Sequence, residues 1–203
     1  MPVVALINSG LCNLDSVRRA ISHLGGRPIV ADHPEALKDA NLVMLPGVGA
    51  AAPAMTALRA RGFVDAIHER VAAGIPLIGI CLGMQLLSQR SFEDGETECL
   101  GLIPGEVMPL IPQSADERIP HMGWNVVEPL EGAVLFAGVS QGTDFYYANS
   151  YHFECAPEAV QARTPYCGGF VASVRKDNVF GVQFHPEKSH SGGLRVLSNF
   201  LRQ

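Results

Sequence analysis

IPLIGICLGMQLL, residues 75–87, decides the fold. Its first half, Ile75–Ile80, is a short unbroken apolar run, the pattern of a strand buried on both faces. Gly79-Ile80-Cys81-Leu82-Gly83 then sets a cysteine between two glycines. This is the G-x-nucleophile-x-G arrangement of a sharp strand-to-helix turn, with cysteine in place of serine. The turn needs small residues two before and two after the nucleophile. It lifts the side chain at the C-terminal end of the strand, where parallel sheets bind their ligands. It also sets the sulfur at the start of a helix predicted over 82–89, whose dipole favours thiolate. A lone cysteine is more often a packing residue. That is the expectation for Cys12, Cys99, Cys155 and Cys167, which lack the glycine frame.

Outward from this turn the pattern is strand, helix, strand. Upstream, apolar runs predict strands at 3–8, 28–31 and 42–45. Leu14, Val17, Ile21 and Leu24 recur at helical spacing after a possible Asn13 cap, and Gly25-Gly26 stops them. A short helix is predicted at 34–40, and longer ones at 50–61 and 63–73 on either side of Gly62. Strands apolar throughout and alternating with helices predict a parallel sheet covered on both faces. Downstream, 91–184 is rich in Gly, Pro and short β-type runs, at 106–110, 119–127, 145–153, 160–163, 169–174 and 178–184. They predict antiparallel additions to the same sheet. Leu194, Leu197, Phe200 and Leu201 mark one face of a last helix. The fold class is therefore α/β: an open mixed, mostly parallel central sheet with helices on both faces and antiparallel additions in the second half. With neither linker nor repeat, residues 1–203 are expected to form a single domain.

Composition narrows the function. Fifteen Lys and Arg against twenty Asp and Glu give a net charge of −5, which argues against a nucleic-acid binder. No apolar run approaches the roughly 20 residues of a membrane span. The start MPVVALINSG lacks the basic flank and cleavage site of a signal peptide. Five cysteines without CxxC spacing suit a reducing, cytoplasmic setting. Hydrophobic residues are 47% and charged residues 17%, a low charge that fits a surface partly covered by a partner. No histidine spacing suits a metal.

His-Pro-Glu occurs twice. At 33–35 the proline and glutamate open a helix, where both are favoured for structural reasons. At 185–187 the motif follows an apolar strand. In an extended segment, residues two apart point the same way, so Glu187 can hold the His185 imidazole and fix its tautomer. Together with Cys81 this gives a nucleophile, a base and an orienting carboxylate. Acyl transfer also needs oxyanion donors. The Leu82 N–H is one candidate, and the Pro46-Gly47-Val48-Gly49 turn, on the same sheet edge, is a second source.

LPGVGA at 45–50, GICLGMQLL at 79–87 and GVQFHPEKS at 181–189 resemble, in this order, the triad-type (class I) glutamine amidotransferases. The resemblance covers essentially the whole chain. It implies Cys81 as nucleophile, His185 as base and Glu187 as its orienter. It further implies oxyanion and glutamine-binding roles for Gly47, Val48, Gly49, Leu82, Gln85, Ser150 and Tyr151, with no metal or organic cofactor. Within the family, PGVG, PHMGWN at 120–125 and NLDSVRRAI at 13–21 resemble the glutaminase subunits of imidazole glycerol phosphate synthases. That branch implies a heterodimer with a (β/α)₈-barrel cyclase of histidine biosynthesis, which receives the ammonia. It places Asn13, Met122, Trp124 and Lys188 at the partner interface, and implies a flip of the PGVG peptide as the activating switch. Glutaminase subunits of anthranilate, aminodeoxychorismate, GMP or pyridoxal phosphate synthases stay open as alternatives, as does a catalytically silent interaction subunit. Three positions depart from the family: Cys12 replaces a glycine, Ala51 stands where phenylalanine is common, and Asn149 where histidine is common.

Overall fold

The computed structural model describes residues 1–10 and 13–203, so the Cys12 departure lies outside the described residues. In chain order come β1 (Val3–Ile7), α1 (Leu14–His23), β2 (Arg27–Ala31), a 3₁₀ turn at Pro34–Leu37, β3 (Leu42–Gly47), α2 (Ala51–Ala60), α3 (Phe63–Ala72), β4 (Leu77–Cys81) and α4 (Leu82–Gln85). The second half holds β5 (Arg90–Ser91), β6 (Thr97–Glu98), β7 (Gly105–Pro109), β8 (His121–Val126), β9 (Glu128–Pro129), β10 (Asp144–Asn149), β11 (Tyr151–Cys155), β12 (Val160–Thr164), β13 (Phe170–Lys176), β14 (Val179–Val182) and α5 (His190–Phe200).

The main sheet has the order β2-β1-β3-β4-β14-β13-β12-β9. Its strands from β2 to β14 run parallel, and β13, β12 and β9 continue it antiparallel. Successive strand residues feed opposite cores. Ala5, Ile7, Val43, Leu45 and Leu77 pack with α2 and α3. Val4, Leu6, Leu42, Met44, Ile78 and Ile80 pack with α1 and α5. This two-sided burial is why the strands read as continuous apolar runs. The mixed α/β class predicted from the sequence is the one observed.

Four expectations need correction. The second-half strands do not all join the main sheet: β8 and β10 form a separate ribbon, and β11-β7-β5-β6 a separate four-stranded sheet. The single strand expected over 145–153 is broken at Ser150, whose carbonyl accepts from Leu110 N–H, so β10 and β11 serve different sheets. The helix expected over 82–89 is the single turn of α4. The carbonyls of Leu86, Leu87 and Ser88 accept instead from Leu100, Ile103 and Gly101, which folds the chain out of the helix. Asn13 stands at the N-cap of α1 but makes no side-chain capping bond.

Candidate active site

Cys81 sits at the end of β4 with φ 54°, a left-handed conformation that a residue with a Cβ adopts only under strain. The frame around it explains the glycines. A Cβ on Gly79 would lie 2.4 Å from the Gly83 carbonyl oxygen, and one on Gly83 would lie 1.7 Å from that of Leu45. Gly47 is pressed against the same turn, its missing Cβ 3.1 Å from that of Leu82. α4 is too short to lend the sulfur a helix dipole, so that part of the sequence argument falls away.

β14 lies beside β4 in parallel register, with Val182 opposite Ile80. This pairing brings His185, about a hundred residues away in sequence, into the same cleft as the sulfur, close enough for Cys81 to act on its pKa. His185 Nδ1 and Glu187 Oε1 are 2.9 Å apart, with side chains 6% and 3% exposed. The reach differs from the extended geometry expected. Pro186–Lys188 is a 3₁₀ turn, which brings the carboxylate back to the Nδ1 edge of the ring. The Ser189 hydroxyl fixes this turn by donating to the His185 carbonyl at 2.6 Å and accepting from Tyr146 N–H at 3.0 Å. Burial pulls the His185 pKa down. The hydrogen bonds and charges of Cys81 and Glu187 outweigh it and raise the value to about 10. The earlier His33-Pro34-Glu35 opens a 3₁₀ turn with proline at its start, the structural role expected.

A cleft of about 460 Å³ opens over the sulfur. Val48, Gly49, Leu82, Gln85, Ser150 and Tyr151 line it with Cys81 and His185, and Lys188 stands at its edge. Gly49 has φ +90°, and among the described residues nothing lies within 4 Å of its absent Cβ. Gln85 Nε2 donates to the Tyr151 carbonyl at 2.9 Å and to Gln183 Oε1 at 3.1 Å. Glu93 was not foreseen. It lines the cleft, accepts from Ala51 N–H at 2.8 Å, and burial raises its carboxyl pKa. Its segment, Ser91–Gly95, is polar and turn-like, and carries no spacing that marks a ligand. Asn149 also lines the cleft; its Nδ2 donates to the Tyr151 carbonyl, and its buried Oδ1 has no partner among the described residues. A larger hollow of about 870 Å³ runs along Val126–Gly142, but among the described residues its lining holds neither a cysteine nor a histidine.

Asn13 is exposed at the start of α1, which packs on the 186–188 turn. Met122 and Trp124 are 66% and 46% exposed on β8, and the indole stacks on His190 at 4.7 Å. Among the described residues no cluster of three metal-ligating side chains occurs, and no helix is long and apolar enough to cross a membrane.

The family model described as "Glutamine amidotransferase class-I" matches residues 5–203. The chain belongs to the class-I glutamine amidotransferases. As a member it is a glutaminase by activity, which agrees with a thiol and an imidazole lining one cleft. Among similar curated proteins, imidazole glycerol phosphate synthase subunit HisH 1 of Campylobacter jejuni is 42% identical, over 98% of this amidotransferase and 100% of that chain. Subunit HisH of the same synthase from Moorella thermoacetica is 46% identical over 98% and 94%. A solved glutamine amidotransferase shares the fold with a TM-score of 0.77 at 21% identity, covering 98% of this chain and 97% of its own. PurLQS from Thermotoga maritima gives 0.77 and 21%, covering 99% and 98%.

Proposed function

We propose that this amidotransferase is the glutaminase subunit of an imidazole glycerol phosphate synthase and acts through Cys81, His185 and Glu187. The observation that carries the chemistry is the buried imidazole bound to a buried carboxylate at 2.9 Å and sharing one cleft with the sulfur, which helps raise its pKa. Support for the assignment within the family comes from full-length similarity to synthase subunits at 42% and 46% identity.

His185 accepts the Cys81 proton, and the thiolate attacks the glutamine side-chain carbonyl. The oxyanion is held by the Leu82 N–H and a donor from Val48–Gly49, with Gly47 letting that loop lie against the elbow. The imidazolium, favoured by both neighbours, returns its proton to the departing ammonia. Water, deprotonated by His185, then hydrolyses the γ-glutamyl thioester to glutamate and frees the thiol. Both hydrogens of the Gln85 amide nitrogen are engaged, so its oxygen is the atom that receives a substrate donor. Glu93 is suited to the α-ammonium, and the backbone of Ser150 and Tyr151 to the rest of the amino-acid head. The ammonia passes to a (β/α)₈ cyclase docked over Asn13, Met122, Trp124 and Lys188, for histidine biosynthesis. Residues 1–203 act as one domain, a reading supported by second-half strands that extend the first-half sheet.

The test is glutamate release on mixing the chain with the cyclase and its phosphoribosyl substrate. Release that is absent with Cys81→Ser and accompanied by a one-to-one complex is expected. A wild-type rate from the Cys81→Ser protein would remove the triad, and failure to bind that cyclase would remove the partner.

A further inference from the structure

Directly after β14, on the way to His185, stands one side chain that packing alone does not explain. Gln183 is fully buried, flanked by the equally buried Val182 and Phe184. A primary amide in such a place costs free energy unless its polar atoms are matched. Its backbone is pinned to β13 through a 2.9 Å bond from its N–H to the Ala172 carbonyl. Its side chain has two partners: Nε2 donates to Cys81 Sγ at 3.8 Å, and Oε1 accepts from Gln85 Nε2 at 3.1 Å.

We propose that Gln183 is a positioning residue for the nucleophile, holding the sulfur with its amide N–H in an orientation that Gln85 dictates. The inference rests on the assignment of Cys81 as nucleophile.

The direction of the amide follows from acceptors and donors. The Tyr151 carbonyl can only accept, so Gln85 must turn its nitrogen toward it, at 2.9 Å. That same nitrogen faces Gln183, which must answer with its oxygen. The Gln183 nitrogen is thereby aimed at the sulfur. On another side the Ala148 carbonyl oxygen lies 4.0 Å from Sγ, an acceptor that suits the S–H form. The amide donor suits the thiolate, because a hydrogen bond to an ion is about twice as strong as one between neutral groups. Gln183 thus favours the reactive form and fixes where it sits. It also ties the sulfur's environment to Gln85, a lining residue of the cleft.

Two replacements separate this role from packing. Gln183→Glu keeps the acceptor for Gln85 and sets a carboxylate against the sulfur. Gln183→Met keeps the volume and removes both polar contacts, a substitution that a buried apolar strand tolerates. Alkylation of Cys81 by iodoacetamide is followed by mass spectrometry across pH on the full chain, so that the other cysteines do not contribute. Gln183→Glu is expected to move the profile up by about one pH unit or more, with about a tenfold slower reaction near neutrality. Gln183→Met should move it less, in the same direction. With the cyclase present, Gln183→Glu should lower kcat at least about tenfold with little change in KM. Gln183→Met should raise KM as well, since Gln85 is released. If the Glu variant does not fold, the Met variant carries the test. An alkylation profile in folded Gln183→Met that overlays the wild type overturns the proposal. Glutamate release surviving in Cys81→Ser overturns instead the assignment beneath it, so the two failures are told apart.

Discussion

At the scale of single residues, His185 feels opposing pulls from burial and from its two partners, and the partners win, with a pKa of about 10 against an ordinary 6.5. A group raised on folding contributes stability that is full below its unfolded value and is lost as pH climbs through the folded one. Glu187→Gln removes one of the two sources of the rise. The melting temperature of wild type should therefore exceed that of Glu187→Gln most near pH 6, and the gap should narrow toward pH 10. Glutamate release should fall by about 10³–10⁴-fold, because the imidazole loses the group that fixes its tautomer. A gap that widened with pH would show that the carboxylate does not stabilise the charged ring. The three residues were legible because the elbow's glycine frame and the two-residue spacing of His185 and Glu187 are local in sequence. Glu93 reaches the cleft through a turn without periodic signature. Gln183 did leave a trace, an amide between the apolar Val182 and Phe184, but its meaning depends on β14 lying beside β4, which no local pattern states.

At the scale of elements, the elbow and the loop after β3 test different things. Gly83→Ala would drive a methyl to 1.7 Å from the Leu45 carbonyl, and that oxygen belongs to a central strand that cannot step aside. The expected loss exceeds about 3 kcal/mol in urea unfolding, with full failure to fold as the extreme. Gly49→Ala meets no atom of the described residues, and its φ of +90° costs about 1–3 kcal/mol of local strain. Its fold should survive while cyclase-stimulated glutamate release drops, as expected if this peptide must reorient to supply an oxyanion donor. Undiminished stimulation would speak against that switch. Apolar strands and long amphipathic helices were the easily predicted elements, since burial on one or both faces writes a period into the chain. The errors fell where backbone bonds from distant segments take over. Leu86–Ser88 looked helical until residues 100–103 claimed their carbonyls, and 145–153 looked continuous until Leu110 paired with Ser150.

At the scale of the molecule, β8 presents its side chains alternately, and the division is functional in form. His121 points inward and is buried among Tyr147, Tyr166 and Phe170, where loss of solvation lowers its pKa. Pro120, Met122 and Trp124 alternate with it, and Pro120 already lines the cleft. The exposed side chains of Met122 and Trp124 therefore continue the rim of the catalytic opening. Trp124 meets the edge of Tyr146, whose other neighbours are the Lys188 ammonium and the His185 ring. A partner seated on this face would cover the cleft mouth and press on residues one contact from the base. Large exposed aromatics at such a position carry much of an interface's energy. Trp124→Ala is expected to weaken binding to the cyclase about tenfold or more, and Met122→Ala less, by titration calorimetry. Both should leave the melting temperature nearly unchanged, because neither side chain is part of either core. Leu130 is as exposed as Trp124, at 46%, but follows β9 on the far edge of the main sheet. Leu130→Ala should leave the affinity as it is. Equal losses at Leu130 and Trp124 would mean that the partner is held by general surface hydrophobicity, and not by the rim of the cleft.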